Sequence, residues 1–216
     1  MASTIYLIRH GQASFMADDY DRLSHLGEQQ SRALGQWWQN NLPISPVLHG
    51  TLKRQVSTFR IATETWANPP QAQVKEGLNE HQGTEIMRLY RDQYPPLNSK
   101  REALRQFFKV NRQWARGEID SGPYESWADF QQRVRTTMAD ILAHLTFEES
   151  IILLTSGGVI ATAIGMALNL EEEKIMELNW QIRNTSISAI QYSKGRLFLR
   201  DFNGVPHLQE EQISYV

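Results

Sequence analysis

The stretch Thr4-Ile5-Tyr6-Leu7-Ile8-Arg9-His10-Gly11-Gln12 decides how this chain is read. Its first five residues are β-formers without a break, which predicts a strand, and the polar residues that follow predict a loop at the strand's end. A strand end is a rigid mount for a side chain. Arg9 there offers a planar cation for phosphate oxygens, and Gly11 allows close backbone approach. Neighbouring arginines would keep His10 neutral near pH 7, and a neutral histidine is a competent nucleophile. The triplet is equally compatible with a strand end that merely contains a histidine, because short motifs recur by chance.

Outward from this stretch the chain alternates. Residues 23–42 open on Ser24, a good helix cap, and place Leu26, Leu34, Trp37 and Trp38 near helical spacing before Pro43. At that spacing the tryptophans read as core, although exposed aromatics there could also serve an interface. Residues 46–49 predict a short strand and 52–66 a second helix, stopped by Asn68-Pro69-Pro70. Strand, helix, strand, helix predicts parallel pairing. Loop signals at Gly77, Gly83, Pro95-Pro96 and Gly122-Pro123 bracket a helix over 100–116 and predict a helical insertion at about 84–124. A helix over 125–145, a buried strand over 150–154 and a helix over 159–168 restore the alternation. Two strands, 186–192 and 196–202, flank Ser193-Lys194-Gly195 and predict a hairpin at the sheet edge. One domain of 216 residues is the simplest division.

Composition excludes more than it selects. A net charge of -2 gives no global attraction to nucleic acid or to an anionic membrane. The absence of cysteine removes disulfides, thiol nucleophiles and cysteine metal sites. The six histidines lack paired ligand spacing, so neither a metal nor an organic cofactor is expected. The chain does not open on a basic and then a long apolar region, so no secretory signal is expected and the cytoplasm is the expected location. Residues 150–170 carry no charge and approach the length of a membrane span, yet Thr155-Ser156-Gly157-Gly158 breaks them into a strand, a turn and a helix. Arg101, Arg105, Lys109, Arg112 and Arg116 share one face of the helix over 100–116, opposite Leu104, Phe107, Phe108 and Trp114. That stripe reads as a solvated face, or as a docking surface for an acidic substrate or phosphoprotein.

The opening TIYLIRHGQ resembles the histidine phosphatase superfamily, also called the phosphoglycerate mutase-like family. Similar segments follow in order: Leu23-Ser24 with Gly27 and Gln30, Leu52-Lys53-Arg54 with Thr58, and Leu78-Asn79-Glu80 with Gly83 and Glu85. Further along come Glu125-Ser126-Trp127 with Arg133, and Asn184-Thr185-Ser186. The resemblance implies a three-layer α/β/α sandwich with a mainly parallel sheet and an antiparallel edge hairpin. It also implies His10 as the phosphorylated nucleophile and Glu80 as the proton donor. Arg9 and Arg54 would clamp the phosphate, with Gly11, Gln12, Ser156 and Gly157 around it.

The chain departs from the family pattern twice. A second histidine is expected to head a His-Gly motif after a late strand, where this chain has Ser156-Gly157-Gly158. The Ser hydroxyl and the glycine amides at a helix start can still meet an anion, but a charge is lost, equivalent to about ten- to a hundredfold in rate. His81 and His25 are candidates to fill the gap. Glu80 is followed by His81-Gln82-Gly83, unlike the mutase branch, which favours hydrolysis of a phosphorylated small molecule or phosphoprotein. A phosphate-binding pseudoenzyme and a mutase are the alternatives. Oligomeric state is not readable.

Overall fold

The computed structural model describes residues 2–14, 21–94, 99–146 and 148–215; Pro95-Pro96 lie outside them. Its strands are β1 (Ser3–Arg9), β2 (Val47–His49), β3 (Ala72–Val74), β4 (Ser150–Thr155), β5 (Ile187–Ser193) and β6 (Arg196–Gly204). They form one sheet in the order β3-β2-β4-β1-β5-β6, parallel from β3 to β1 and antiparallel through β5 and β6. The helices are α1 (His25–Asn41), α2 (Lys53–Ala62), α3 (Gly83–Leu89), α4 (Lys100–Ala115), α5 (Trp127–His144), α6 (Gly157–Leu168) and α7 (Glu172–Asn179).

β1 is apolar on both faces because both are covered. Ile8 joins Ile152 and Leu154 of β4 against Leu34 and Trp38 of α1 and Ala62 of α2. Ile5 and Leu7 point the other way, with Leu153, into the larger cluster built on α5 and α6, and α3, α4 and α7 add to that side. The two-residue period of a strand thus sorts one sequence into two cores. α1 leaves β1 on one face and α6 leaves β4 on the other, so a crevice opens where the two parallel neighbours end. Open α/β sheets bind ligands at such a switch point, outside the carboxyl ends of the strands.

The expected elements are present, with shifts that have local causes. Ser24 caps α1 by accepting from the Gly27 amide at 3.0 Å. α2 stops at Ala62, short of residue 66, and the chain turns so that Trp66 packs edge-on against Trp38, centroids 5.4 Å apart. In the hairpin, Lys194 and Gly195 both have positive φ (50° and 74°), the geometry of a tight two-residue turn. Gly83, expected in a loop, opens α3, anchored by the fully buried Ile86. β3 was not expected; it is a three-residue edge strand with Val74 exposed, too short to show alternation. Residues 150–170 divide into β4 and α6, and among the described residues no helix is long and apolar enough to cross a membrane.

Of the basic stripe, Lys109 lies over the Tyr94 ring and Arg112 over the Trp180 ring, and Arg116, just past α4, pairs with Glu173.

One half-buried histidine away from the crevice makes stability pH-dependent. His207 Nε2 bonds Thr185 Oγ1 at 2.9 Å beside Trp37, and burial pushes its pKa down to about 4. The unfolded chain takes up this proton near pH 6.5, whereas the folded chain resists it until about pH 4. The stabilisation is therefore complete above pH 6.5 and falls by about 3 kcal/mol as the pH drops to 4. Urea midpoints at pH 7 and pH 4.5 should differ less in His207→Gln than in the wild type.

Candidate active site

His10 follows β1 and Ser156 follows β4, and the register sets them side by side: Arg9 pairs with Thr155, and the His10 amide donates to the Thr155 carbonyl at 2.9 Å. The His10 carbonyl accepts from the Thr185 amide at 3.2 Å and from Asn184 Nδ2 at 3.4 Å. Thr185 holds a φ of 54°, unusual for a β-branched residue, so the segment that fixes His10 is itself held under strain.

The tautomer of His10 follows from its neighbours. Nδ1 lies 2.7 Å from the Gly11 carbonyl, which can only accept, so the proton sits on Nδ1. The lone pair is then on Nε2, and Arg54 Nε donates to it at 3.1 Å. Burial, then the positive charges of Arg54 and Arg9, push the pKa well below its ordinary value against the opposing Gly11 contact. The ring is neutral at pH 7.

Gly11 must be glycine here. A Cβ would come within 2.5 Å of the Gly27 carbonyl oxygen, where the loop crosses the first turn of α1. The Gly11 amide donates to Thr58 Oγ1 at 3.0 Å, and that hydroxyl donates to the Arg54 carbonyl. Loop and α2 are thereby locked together. Gln12 turns toward the start of α1, accepting from Ser24 Oγ at 2.8 Å.

Arg9 and Arg54 both reach the cleft. Arg9 Nη1 donates to the carbonyls of Ile182 and Tyr215. Arg54 Nη1 pairs with Asp21 Oδ1 at 2.7 Å, while Asp21 Oδ2 accepts from the Lys53 amide at 2.8 Å. Asp21 so caps α2 and aims Arg54 at once. Sequence reasoning missed it, because nothing local to Asp21 marks a partner 33 residues away.

Glu80 lies across the cleft. Its Oε2 accepts from the Gly158 amide at 2.9 Å and its Oε1 from the His81 amide at 3.1 Å. The first turn of α6 therefore holds this carboxylate through the Gly158 amide. Gly158 has to lack a side chain, since a Cβ would stand 2.3 Å from Glu80 Oε1. Behind the loop, Arg133 makes two 2.8 Å bonds to Glu125 and donates to the Gly77 and Asn79 carbonyls at 2.9 and 3.0 Å, bracing residues 77–80.

Ser156 is fully buried and accepts from Gln55 Nε2 at 2.9 Å. Gly157 makes room for Asn179 Oδ1, which would stand 2.3 Å from a Cβ. Of the two histidines considered for the gap, His25 is exposed on α1. His81 lines the cleft, boxed by Trp114, Trp127 and Phe130, with Nε2 3.7 Å from Glu80 Oε1. Burial lowers its pKa despite Glu80, so it brings a neutral ring and no charge. Among the described residues no group of three or more His, Asp or Glu side chains could hold a metal ion.

Arg9 and His10 at the end of β1, Arg54 in the first turn of α2 and Glu80 before α3 belong to a mixed α/β fold whose sheet is mostly parallel. The model of the histidine phosphatase superfamily (branch 1) matches residues 5–204, and the chain belongs to that family. Solved structures share the fold at low identity. Bacillus stearothermophilus YhfR aligns with a TM-score of 0.71 at 21% identity, over 96% of this chain and 100% of that one. A phosphoglycerate mutase from Bacillus anthracis aligns at 0.70 and 16% identity, over 95% of each chain. The alpha-ribazole phosphatase of Shigella flexneri aligns at 0.65 and 18% identity, over 94% of this chain and 96% of that one. No curated protein matches the sequence.

Proposed function

We propose that the protein is a phosphomonoester hydrolase that works through a phosphohistidine on His10. The observation that carries this reading is the tautomer of His10, which presents a lone pair on Nε2 to Arg54 while the ring stays neutral. Of two solved structures of similar fold, one is a mutase and one a phosphatase by name, which is compatible with either chemistry.

In the first step, the Nε2–P bond forms and the P–O bond to the alcohol breaks. The departing oxygen takes up a proton, and Glu80, the carboxylate held by the Gly158 and His81 amides, is the group that relays it. In the second, water attacks phosphorus, Glu80 takes the water's proton, the N–P bond breaks, and phosphate and neutral His10 are regenerated. Arg54 must turn its Nε from His10 to a phosphate oxygen as substrate enters, and Asp21 is the pivot that holds Nη1 meanwhile. Because the neutral ring is the reactive form and its pKa is lowered, the rate should not fall as pH drops through 6.5.

The alternative is a phosphate-binding protein without turnover. Ser156 favours it: the site has a neutral hydroxyl, engaged by Gln55, at the position where the family pattern leads one to expect a histidine. Phosphate release from 4-nitrophenyl phosphate by the purified chain, in the presence of chelator, separates the two. The hydrolase reading expects release with turnover; phosphate binding without release supports the alternative.

A further inference from the structure

The lining of the cleft is of two kinds: the cations Arg9 and Arg54, and the aromatic rings of Phe107 and Phe108 of α4 and Trp180 after α7. The two phenylalanine rings meet edge-on with centroids 5.8 Å apart, and Phe108 packs on Trp180 at 4.9 Å. The result is a continuous aromatic surface facing a cavity of about 180 Å³. A void of about 150 Å³ is the scale of one benzene ring.

Charge points the same way. Among the described residues lining the cleft, Arg9 and Arg54 are the only cations, whereas Glu80 and Glu85 stand on the α3 side. Arg54 is already shared with Asp21. The basic groups of α4 lie on its exposed face, with Arg112 over Trp180 and Lys109 over Tyr94. Among the described lining residues, two arginines match one phosphate, and a second anionic group would meet Glu80, Glu85 and aromatic rings.

From this we infer the substrate class: monoesters whose only anionic group is the phosphate and whose alcohol carries an aromatic or apolar ring. Phosphates bearing a further carboxylate or phosphate are poor ligands. The inference rests on the phosphatase reading for the site's use, but it concerns binding and can be tested without turnover.

Titration calorimetry with non-hydrolysable phosphonates reads it directly on the intact chain. Benzylphosphonate should bind about tenfold or more tighter than methylphosphonate, since filling an apolar pocket with a few carbons is commonly worth that much. Adding a 4-carboxylate to the benzyl group should weaken binding about tenfold. Phe108→Ala should bring the benzyl-to-methyl ratio near unity, and Glu85→Gln should shrink the penalty for the carboxylate. The proposal is overturned if methyl- and benzylphosphonate bind alike, if the carboxylate strengthens binding, or if no phosphonate binds. Failure of hydrolysis alone, with these affinities in place, would sink only the hydrolase reading.

Discussion

Hydrolysis by His10→Ala should fall by about 10⁴-fold or more, to the background of the buffer, because removing a nucleophile removes the covalent route altogether. The fold should survive. Among the described residues His10 makes side-chain bonds to its neighbour's carbonyl and to Arg54, and the strand that precedes it is held by backbone pairing to β4 and β5. Circular dichroism and the urea midpoint should therefore show a folded chain, destabilised by about 1–3 kcal/mol for the vacated space. Phosphate binding should persist, since both arginines remain. A variant that still turned over at a tenth of the wild-type rate would place the nucleophile elsewhere.

Replacing Arg54 should be nearly as damaging and more informative. Arg54→Met removes a charge aimed at the transferring phosphoryl group, for which about 10²- to 10³-fold in kcat/KM is the usual scale. It also strands Asp21, whose carboxylate is only partly exposed and loses its 2.7 Å partner beside an anionic substrate. Some of the loss should then come from Asp21 itself. The double variant Arg54→Met/Asp21→Asn should recover about tenfold over Arg54→Met, a coupling expected of residues in one ion pair. No recovery would mean that Asp21 serves only the start of α2, through the Lys53 amide.

Arg9 and His10 were legible at the end of the apolar run of β1, whereas Arg54 and Glu80 were singled out only through the resemblance to the histidine phosphatase family. The apolar run of β1 fixes where its strand ends, and Ser24 and Pro43 bound α1. The partners of these residues were not legible. Asp21, Gln55 and Tyr215 reach the site through the tertiary fold, and their own segments carry no periodicity that points there. Two glycines at the start of an apolar helix suggest an anion site, and sequence had no means of showing that the Gly158 amide meets Glu80, 78 residues upstream. Phe107 and Phe108 were read as packing residues, and they are half-buried because one side of each meets the cleft. α3, α7 and β3 went unread because seven-, eight- and three-residue elements offer too few turns or alternations to rise above loop signals.

The most direct test of the account is to mix the protein with substrate, quench within one turnover under alkaline denaturing conditions, and map any covalent phosphoryl group by peptide mass. The account predicts one phosphoryl group on the peptide holding His10, stable in base, labile in acid, and absent from His10→Ala. Full hydrolytic turnover with no adduct trapped at any time, or an adduct on a different residue, would contradict it.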